Sequence, residues 1–410
     1  MGSVPILRDA HDGPPGSRRP YPGAMPDFGD GLAQDADLLA AAENAVAQAT
    51  APLGGRRPDL LAVFVCHPDP DEVGRAGARA MEVAGARVAV GCSAGGVIGD
   101  GRGVEARPAV AVWAAALPDA TLTPFRLDAT RTETGMVVGG MPHRGDDDAV
   151  ALLLADPYTF PIQGFVEQSG DVLRGLPLVG GLASGPGGPG AARLFLDGVV
   201  HERGVVGVTI GGDVRVRTLV SQGCRPVGPT MTVTAAEGPH LQGLAGVPAY
   251  RKLEQILRDL DETEQQMVAQ GLHLGVAMDE YADDHRQGDF LIRGVVGADP
   301  EEGTITVGDV VEVGRTVRFQ VRDAASADAD LDWLMTRFRG EGGTAGALLF
   351  SCNGRGRAMF PDADHDVLAL QRGLAPQGVA GFFAAGEIGP VAARNHLHAF
   401  TASVLAFGDD

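Results

Sequence analysis

Cys352, Asn353, Arg355 and Arg357 cluster in SCNGRGR, directly after the apolar run GALLF. A cysteine beside guanidinium groups is a candidate nucleophile if a neighbouring cation lowers its pKa. At a strand end the same cysteine equally serves as a small apolar filler. An amide and a guanidinium hold a carboxylate with defined geometry, which makes Asn353 and Arg355 candidates for ligand contact, with a surface or interdomain salt bridge as the competing use. Glu387 is an acid inside the apolar, glycine-rich run FFAAGEIGPV. A buried carboxylate needs a partner, and Arg355 is the economical choice if the two segments form adjacent strands. The two together suit a zwitterion such as a free amino acid; a structural ion pair explains them as well.

A second candidate set lies in GCSAGGVIGDG at 91–101, with Cys92 and Ser93. A phosphate cradle needs glycines followed at once by a helix N-terminus. Here the chain continues as GVEARPAVAVW, a loop and a strand, and neither a P-loop nor a GxGxxG pattern is present. A nucleophile elbow also fails, because C-S-A-G-G precedes a strand rather than a helix. The run is therefore a structural turn or the wall of a small-ligand pocket. Arg225, after Cys224 in SQGCRPVGP, either enters such a pocket or positions a link. His396 and His398 in NHLHAF share a strand face, but with Glu387 they lack the defined third ligand that a metal site requires, so no metal and no cofactor is expected. The acidic run EYADDH at 280–285 fits a solvated loop.

The elements that must position these residues repeat. A first unit has strand LLAVFV, a helix over 70–84, strand RVAVGCS, the glycine turn, then AVAVWAA and TLTPFRL. A second starts with a helix near 147–155 and a short strand at YTFPIQGF, followed by a helix around 165–174. It continues with LPLVGGLAS, the turn GPGGPG, RLFLDGVVHERGVVGVTI and VRVRTLVSQ. A third, partial copy has a helix over 325–339, GALLFSC, a helix over 363–373, GVAGFFAAGEIG and LHAFTASVLAF, with GEIG in the place of GCSAGG and GLASG. Residues 1–25, rich in proline, glycine and charge, are expected to be a disordered or loosely packed arm, and 29–50 to form the first helix. PAYRKLEQILRDLDETEQQMV is a long helical pattern, followed by four alternating strands. The expected architecture is α/β, with layered, mixed or mainly antiparallel sheets and helices, built from related repeated units. Several strand-to-strand connections have no room for a helical crossover, which disfavours a doubly wound nucleotide fold.

Composition bounds the function. The 410 residues carry 53 acidic against 33 basic side chains, a net charge of −20, so no nucleic acid and no anionic membrane surface is expected as a partner. Four widely spaced cysteines without ligand spacing fit free thiols in a cytoplasmic protein. No apolar run is long enough to span a bilayer, and there is no basic leader with an apolar follow-on.

Taken as a set, GCSAGGVIGDG, GLPLVGGLASG, SQGCRPVGP, PAYRKLEQIL, DFLIRGVVGAD, ALLFSCNGRG and GFFAAGEIGPV resemble the FIST family, over about 55–405 and in that family's order. After the arm and leading helix at 1–54, the resemblance implies an N-terminal FIST domain at 55–240 with two related units and a C-terminal one at 241–410. It implies a sensory module that binds a small ligand such as an amino acid. It carries over onto Gly91, Cys92, Ser93, Cys352, Asn353, Arg355, Gly356, Glu387 and Gly389. With no fused output domain, the signal would pass to a separate signalling protein. Two further functions stay open: a cysteine-dependent enzyme acting on a small carboxylate, which requires a depressed Cys352 pKa and a histidine near its sulfur, and a structural assembly protein whose turns meet in a filled space.

Overall fold

In the first unit Asp69 caps a helix whose first turn holds Pro70, and Gly85 ends that helix in the left-handed region. The chain between two buried strands is thus a helical crossover, and the strands lie parallel. The computed structural model describes residues 26–408 apart from 134, 186–187, 281, 283–284 and 286–287; the arm expected at 1–25 lies outside the described residues. Unit 1 runs β1 (Asp27–Ala33), α1 (Leu38–Thr50), β2 (Leu60–Cys66), α2 (Pro70–Ala84), β3 (Val88–Ser93), a hairpin of β4 (Gly96–Gly99) and β5 (Arg102–Glu105), and β6 (Ala109–Ala116). Strands β2 and β3 are parallel, and β6 is antiparallel to both β1 and β2.

Unit 2 repeats this plan: β7 (Ala120–Thr132), its extension β8 (Gly135–Gly139), β9 (Asp148–Ala155), α3 (Ile162–Val172), β10 (Leu178–Leu182), the hairpin β11 (Leu194–Leu196) and β12 (Val199–His201), and β13 (Val205–Gly212). Unit 3 opens with β14 (Val216–Gln222) and is then interrupted. The interruption holds β15 (Cys224–Glu237), β16 (His240–Leu244), β17 (Val247–Pro248), α4 (Ala249–Asp259), α5 (Glu262–Gln270), β18 (Leu272–Ala277), β19 (Phe290–Asp299), β20 (Thr304–Val307) and β21 (Thr316–Arg322). These strands form a sheet of their own over a separate core, and Cys224 pairs with Arg322, so the insert leaves the unit where it entered. The unit resumes with α6 (Ala324–Gly340), β22 (Gly346–Cys352), the single turn α7 (Gly356–Met359), α8 (His365–Leu374), β23 (Gly378–Ala384), the hairpin β24 (Glu387–Val391) and β25 (Arg394–His398), and β26 (Thr401–Phe407).

The three sheets have one strand order, and each is completed by a hairpin from another unit. The orders are β1-β6-β2-β3-β11-β12, β7-β13-β9-β10-β24-β25 with β8 added outside β7, and β14-β26-β22-β23-β4-β5. Unit 2 thus extends unit 1, unit 3 extends unit 2, and unit 1 extends unit 3, which closes a ring. One common core unites the sheets: Phe28, Phe64 and Trp113 of unit 1 meet Phe350, Phe382 and Phe407 of unit 3 and Leu152 and Val206 of unit 2. Phe64 stacks on Phe382 at 5.0 Å between centroids. The helices cover the outer faces, so the layered α/β class with mainly antiparallel sheets holds.

Four local expectations differ. Residues 148–155 form β9, not a helix, because AVALLLA is buried on both faces and its continuous apolar run carries no period. YTFPIQGF is a turn whose last four residues are the start of α3, rather than a strand, and 29–33 belong to strand β1, antiparallel to β6, rather than to the first helix. The long helical pattern after Pro248 divides at Leu260, where Asp261 and Glu264 form a capping box that starts a second helix.

Candidate functional site

Because the units share one strand plan, their parallel strands all end on one side of the ring. Ser184, at the end of β10, ties the turns together. Its Oγ accepts the Gly95 N–H at 2.9 Å and donates to the Phe383 carbonyl, and its own N–H donates to the Ser93 carbonyl at 3.3 Å. The Leu182 N–H donates to the Gly386 carbonyl at 2.9 Å, and the Ala385 N–H returns to the Leu182 carbonyl at 3.1 Å. Gly185, beside Ala94 and Gly95, stands at φ +138, a backbone conformation that favours glycine.

Around this knot lies a cavity of about 180 Å³. Unit 1 contributes His67, from the residues after β2, and Ser93, from the end of β3. Unit 2 gives Tyr158 and Ser184, and unit 3 gives Asn353 and Ala385. The turns thus converge on a shared axial pocket, built from the ends of six strands. Of the residues singled out from the sequence, Ser93 and Asn353 line it. His67 and Tyr158 were not singled out. Their only signal is that each follows closely on the end of the first parallel strand of its unit, a place visible once the units are in register.

The other candidates lie elsewhere. Cys92 points into the common core, and burial pushes its thiol well above its ordinary range. Arg225 sits on β15 of the insert, between Glu264 at 3.3 Å and Asp323 at 3.4 Å. Cys352, Arg355 and Glu387 form a buried cluster behind the pocket, reached from Asn353 and Ala385 by one or two residues.

The ion pair expected between Arg355 and Glu387 is not the one formed. Arg355, fully buried, holds Asp366 of α8 through two bonds, Nε to Oδ2 at 2.7 Å and Nη2 to Oδ1 at 2.8 Å. Glu387 belongs to a different sheet, where β24 pairs with β10, and its Oε2 accepts the Thr401 N–H at 3.2 Å and hydroxyl at 2.9 Å. Its Oε1 has no hydrogen-bond partner, and the Cys352 thiol is among the groups acting on the carboxyl. Burial raises the Glu387 carboxyl to about 8, against the opposing pull of Thr401, Cys352 and Arg355. Asp366 is just as buried, yet Arg355, His365 and Ser351 hold it well below the usual carboxylate range.

The same surroundings bear on catalysis by Cys352. Burial and the adjacent Glu387 carboxyl push the thiol well above its ordinary value, and the other groups acting on it are the backbones of Gly354 and Phe400, with no histidine among them. His398 instead bonds the Gly389 carbonyl at 3.0 Å, its ring 5.8 Å from that of His396. Among the described residues, no group of three His, Cys, Asp or Glu side chains is placed to hold a metal ion, and no helix is long and apolar enough to cross a membrane.

Comparison with known proteins supplies the remaining findings. Residues 59–246 match the FIST N domain and residues 249–390 the FIST C domain. The uncharacterized protein Mb0898c of Mycobacterium bovis is 42% identical over 387 residues, covering 93% of this chain and 99% of that protein. The uncharacterized protein MT0656 of Mycobacterium tuberculosis is 42% identical over 384 residues, covering 93% of this chain and 100% of that protein.

Proposed function

Since the chain belongs to the FIST family through both its N and its C domain, and such domains are small-molecule sensory modules, we propose that it senses a small ligand seated in the axial pocket and passes the signal to a separate protein. The observation that carries this reading is the convergence: strand ends from all three units line one cavity. A ligand touching all three units stabilises one relative arrangement of them, which is what a sensor needs. The cytoplasm is the proposed compartment, consistent with four free thiols among the described residues. Amino acids are the ligand class that the family resemblance implies, with Ser93 and Asn353 as contacts.

The two other functions find less support. A cysteine enzyme needs an activated thiol, and Cys352 is driven the opposite way. A purely structural knot would be filled, whereas the turns enclose open space. The test is thermal unfolding of the full chain against amino acids, small carboxylates, amides and nucleotides, repeated with Ala385→Phe. Ala385 is exposed on the pocket wall, so the new ring occupies the cavity without entering the core. A ligand at one hundred times its Kd stabilises the native state by about 2.7 kcal/mol. The expected result is a rise in Tm with one compound class that vanishes in the variant; a rise that survives the substitution moves the site elsewhere.

A further inference from the structure

We propose that the axial pocket is built for an uncharged molecule that presents carbonyl or amide acceptors, rather than for a free zwitterion or a carboxylate; this rests on the axial-pocket reading above. The observation is the lining itself. Among the described residues, His67, Ser93, Tyr158, Ser184 and Asn353 supply its polar side chains, and the rest are Pro, Val, Ala and Gly, with no aspartate, glutamate, lysine or arginine. The charged residues next along the chain are committed elsewhere. Asp69 caps α2 by accepting the Asp71 N–H at 2.9 Å. Asp156, fully buried, accepts from the Tyr158 N–H at 3.1 Å and the Thr159 hydroxyl at 2.6 Å. Arg193 turns its guanidinium to the Gly190 and Ala192 carbonyls, at 2.9 and 3.0 Å, and towards Asp71 and Glu202. An ammonium or carboxylate entering the cavity would shed water and meet no aspartate, glutamate, lysine or arginine side chain among the described lining residues, an unfavourable transfer.

The hydrogen-bond inventory narrows the class. The Nδ1 of His67 is engaged by the Asp69 backbone, 3.1 Å from its nitrogen and 3.4 Å from its carbonyl oxygen, which leaves Nε2 as the ring atom free of that contact. Ser93 Oγ accepts the Arg193 N–H at 3.1 Å, which leaves its hydroxyl hydrogen to donate. The Ser184 hydroxyl is used within the knot, both accepting and donating. The pocket therefore presents the Ser93 hydroxyl donor and the His67 ring from unit 1, and the exposed Asn353 amide, which both donates and accepts, lines the cavity from unit 3. The Ser93 hydroxyl and the Asn353 amide N–H call for acceptor oxygens on the ligand. The volume of about 180 Å³ is close to the roughly 150 Å³ of a cavity that takes up benzene, so the occupant has on the order of ten heavy atoms.

The test uses matched probes on the full chain: free amino acids, their N-acetyl carboxylates, and their N-acetyl amides, in which acetylation and amidation remove both terminal charges. Simple amides, lactams and ureas extend the neutral set. Thermal unfolding and calorimetry are run on the native chain, on Ser93→Ala, and on the exposed Asn353→Ala, with circular dichroism to establish that each variant folds. Neutral probes are expected to raise Tm and to bind about five- to tenfold more weakly to each variant, while the charged forms of the same side chain leave Tm unchanged. Binding of a zwitterion or carboxylate that Ala385→Phe abolishes overturns the neutral class and leaves the axial pocket standing. Binding of any probe that survives Ala385→Phe overturns the pocket itself. No response to the whole neutral set at 10 mM concentrations, on the order used for weak ligands, also overturns the inference.

Discussion

Glu387 and Asp366 are both fully buried near one guanidinium, and their protons behave in opposite ways. Two bonds from Arg355 keep Asp366 ionised, whereas Glu387 receives its bonds from Thr401 and stays protonated to about pH 8. Its folded pKa lies above the unfolded 4.5, so its stabilising effect is complete below about pH 4.5 and is lost as the pH rises through 8. Within that window stability should fall by about 1.4 kcal/mol per pH unit from this group. Glu387→Gln, which cannot ionise, should flatten the fall; urea unfolding of both proteins at pH 5, 6.5 and 8 measures it, and an unchanged slope would show that Glu387 ionises freely in the fold. From the sequence alone, Arg355 and Glu387 were visible as unusual residues, but their partners were not. Asp366 lies in DADHDV, which looks like an ordinary acidic helix start, and only the packing of α8 against the end of β22 turns that carboxylate inward.

At the scale of elements, the second parallel strand of every unit carries a glycine in the same register. Gly91 pairs with Val63, Gly180 with Leu153 and Gly381 with Leu349, and at each one a Cβ would collide with the carbonyl oxygen of its pairing partner. Three residues later, at or just past the strand end, each unit has an alanine: Ala94, Ala183 and Ala384. The repeated signature is therefore GCSA, GGLA and GFFA. In this frame GEIG matches GVIG at the start of the lent hairpin rather than the glycine turn, and Glu387 stands where unit 1 has Val97. The repeat was legible in the order of elements, while its register was obscured by the abundance of glycine, 60 residues in all. Gly381→Ala should cost about 3 kcal/mol or more, since backbone must move to admit the methyl group. Gly170→Ala, in open space within α3, should instead add about 0.5–1 kcal/mol. Denaturant midpoints of the two variants decide between close approach and general glycine content.

For the whole molecule, the insert and the ring differ in how they depend on the rest of the chain. The insert has its own sheet and core, enters and leaves through paired residues Cys224 and Arg322, and meets the ring through Phe400, which packs with Cys224, Phe290 and Ile292. Replacing 226–320 by a short flexible loop should leave a folded ring that unfolds in one cooperative transition, because linked ends tolerate excision and the exchanged hairpins bind the units together. Calorimetry of the shortened chain checks this; two separate transitions, or none, would mean that the ring needs the insert. The sequence signalled this middle segment through its strong helix and four alternating strands, but strand exchange leaves no local trace, since β4 and β24 look like ordinary hairpin arms.

The ring also sets a timetable for synthesis. Ribosomes deliver the chain at about 5–20 residues per second, and the N-terminal part folds first where it is able. Strand β4 leaves the ribosome early, yet its partner β23 is among the last segments to appear, and Val97 must wait for Phe382. Throughout that interval the nascent protein carries an unpaired apolar edge, a template for mispairing with a neighbouring chain on the same polysome. A holdase covering that edge until translation ends would raise the yield of native protein more than any aid to the isolated N-terminal part.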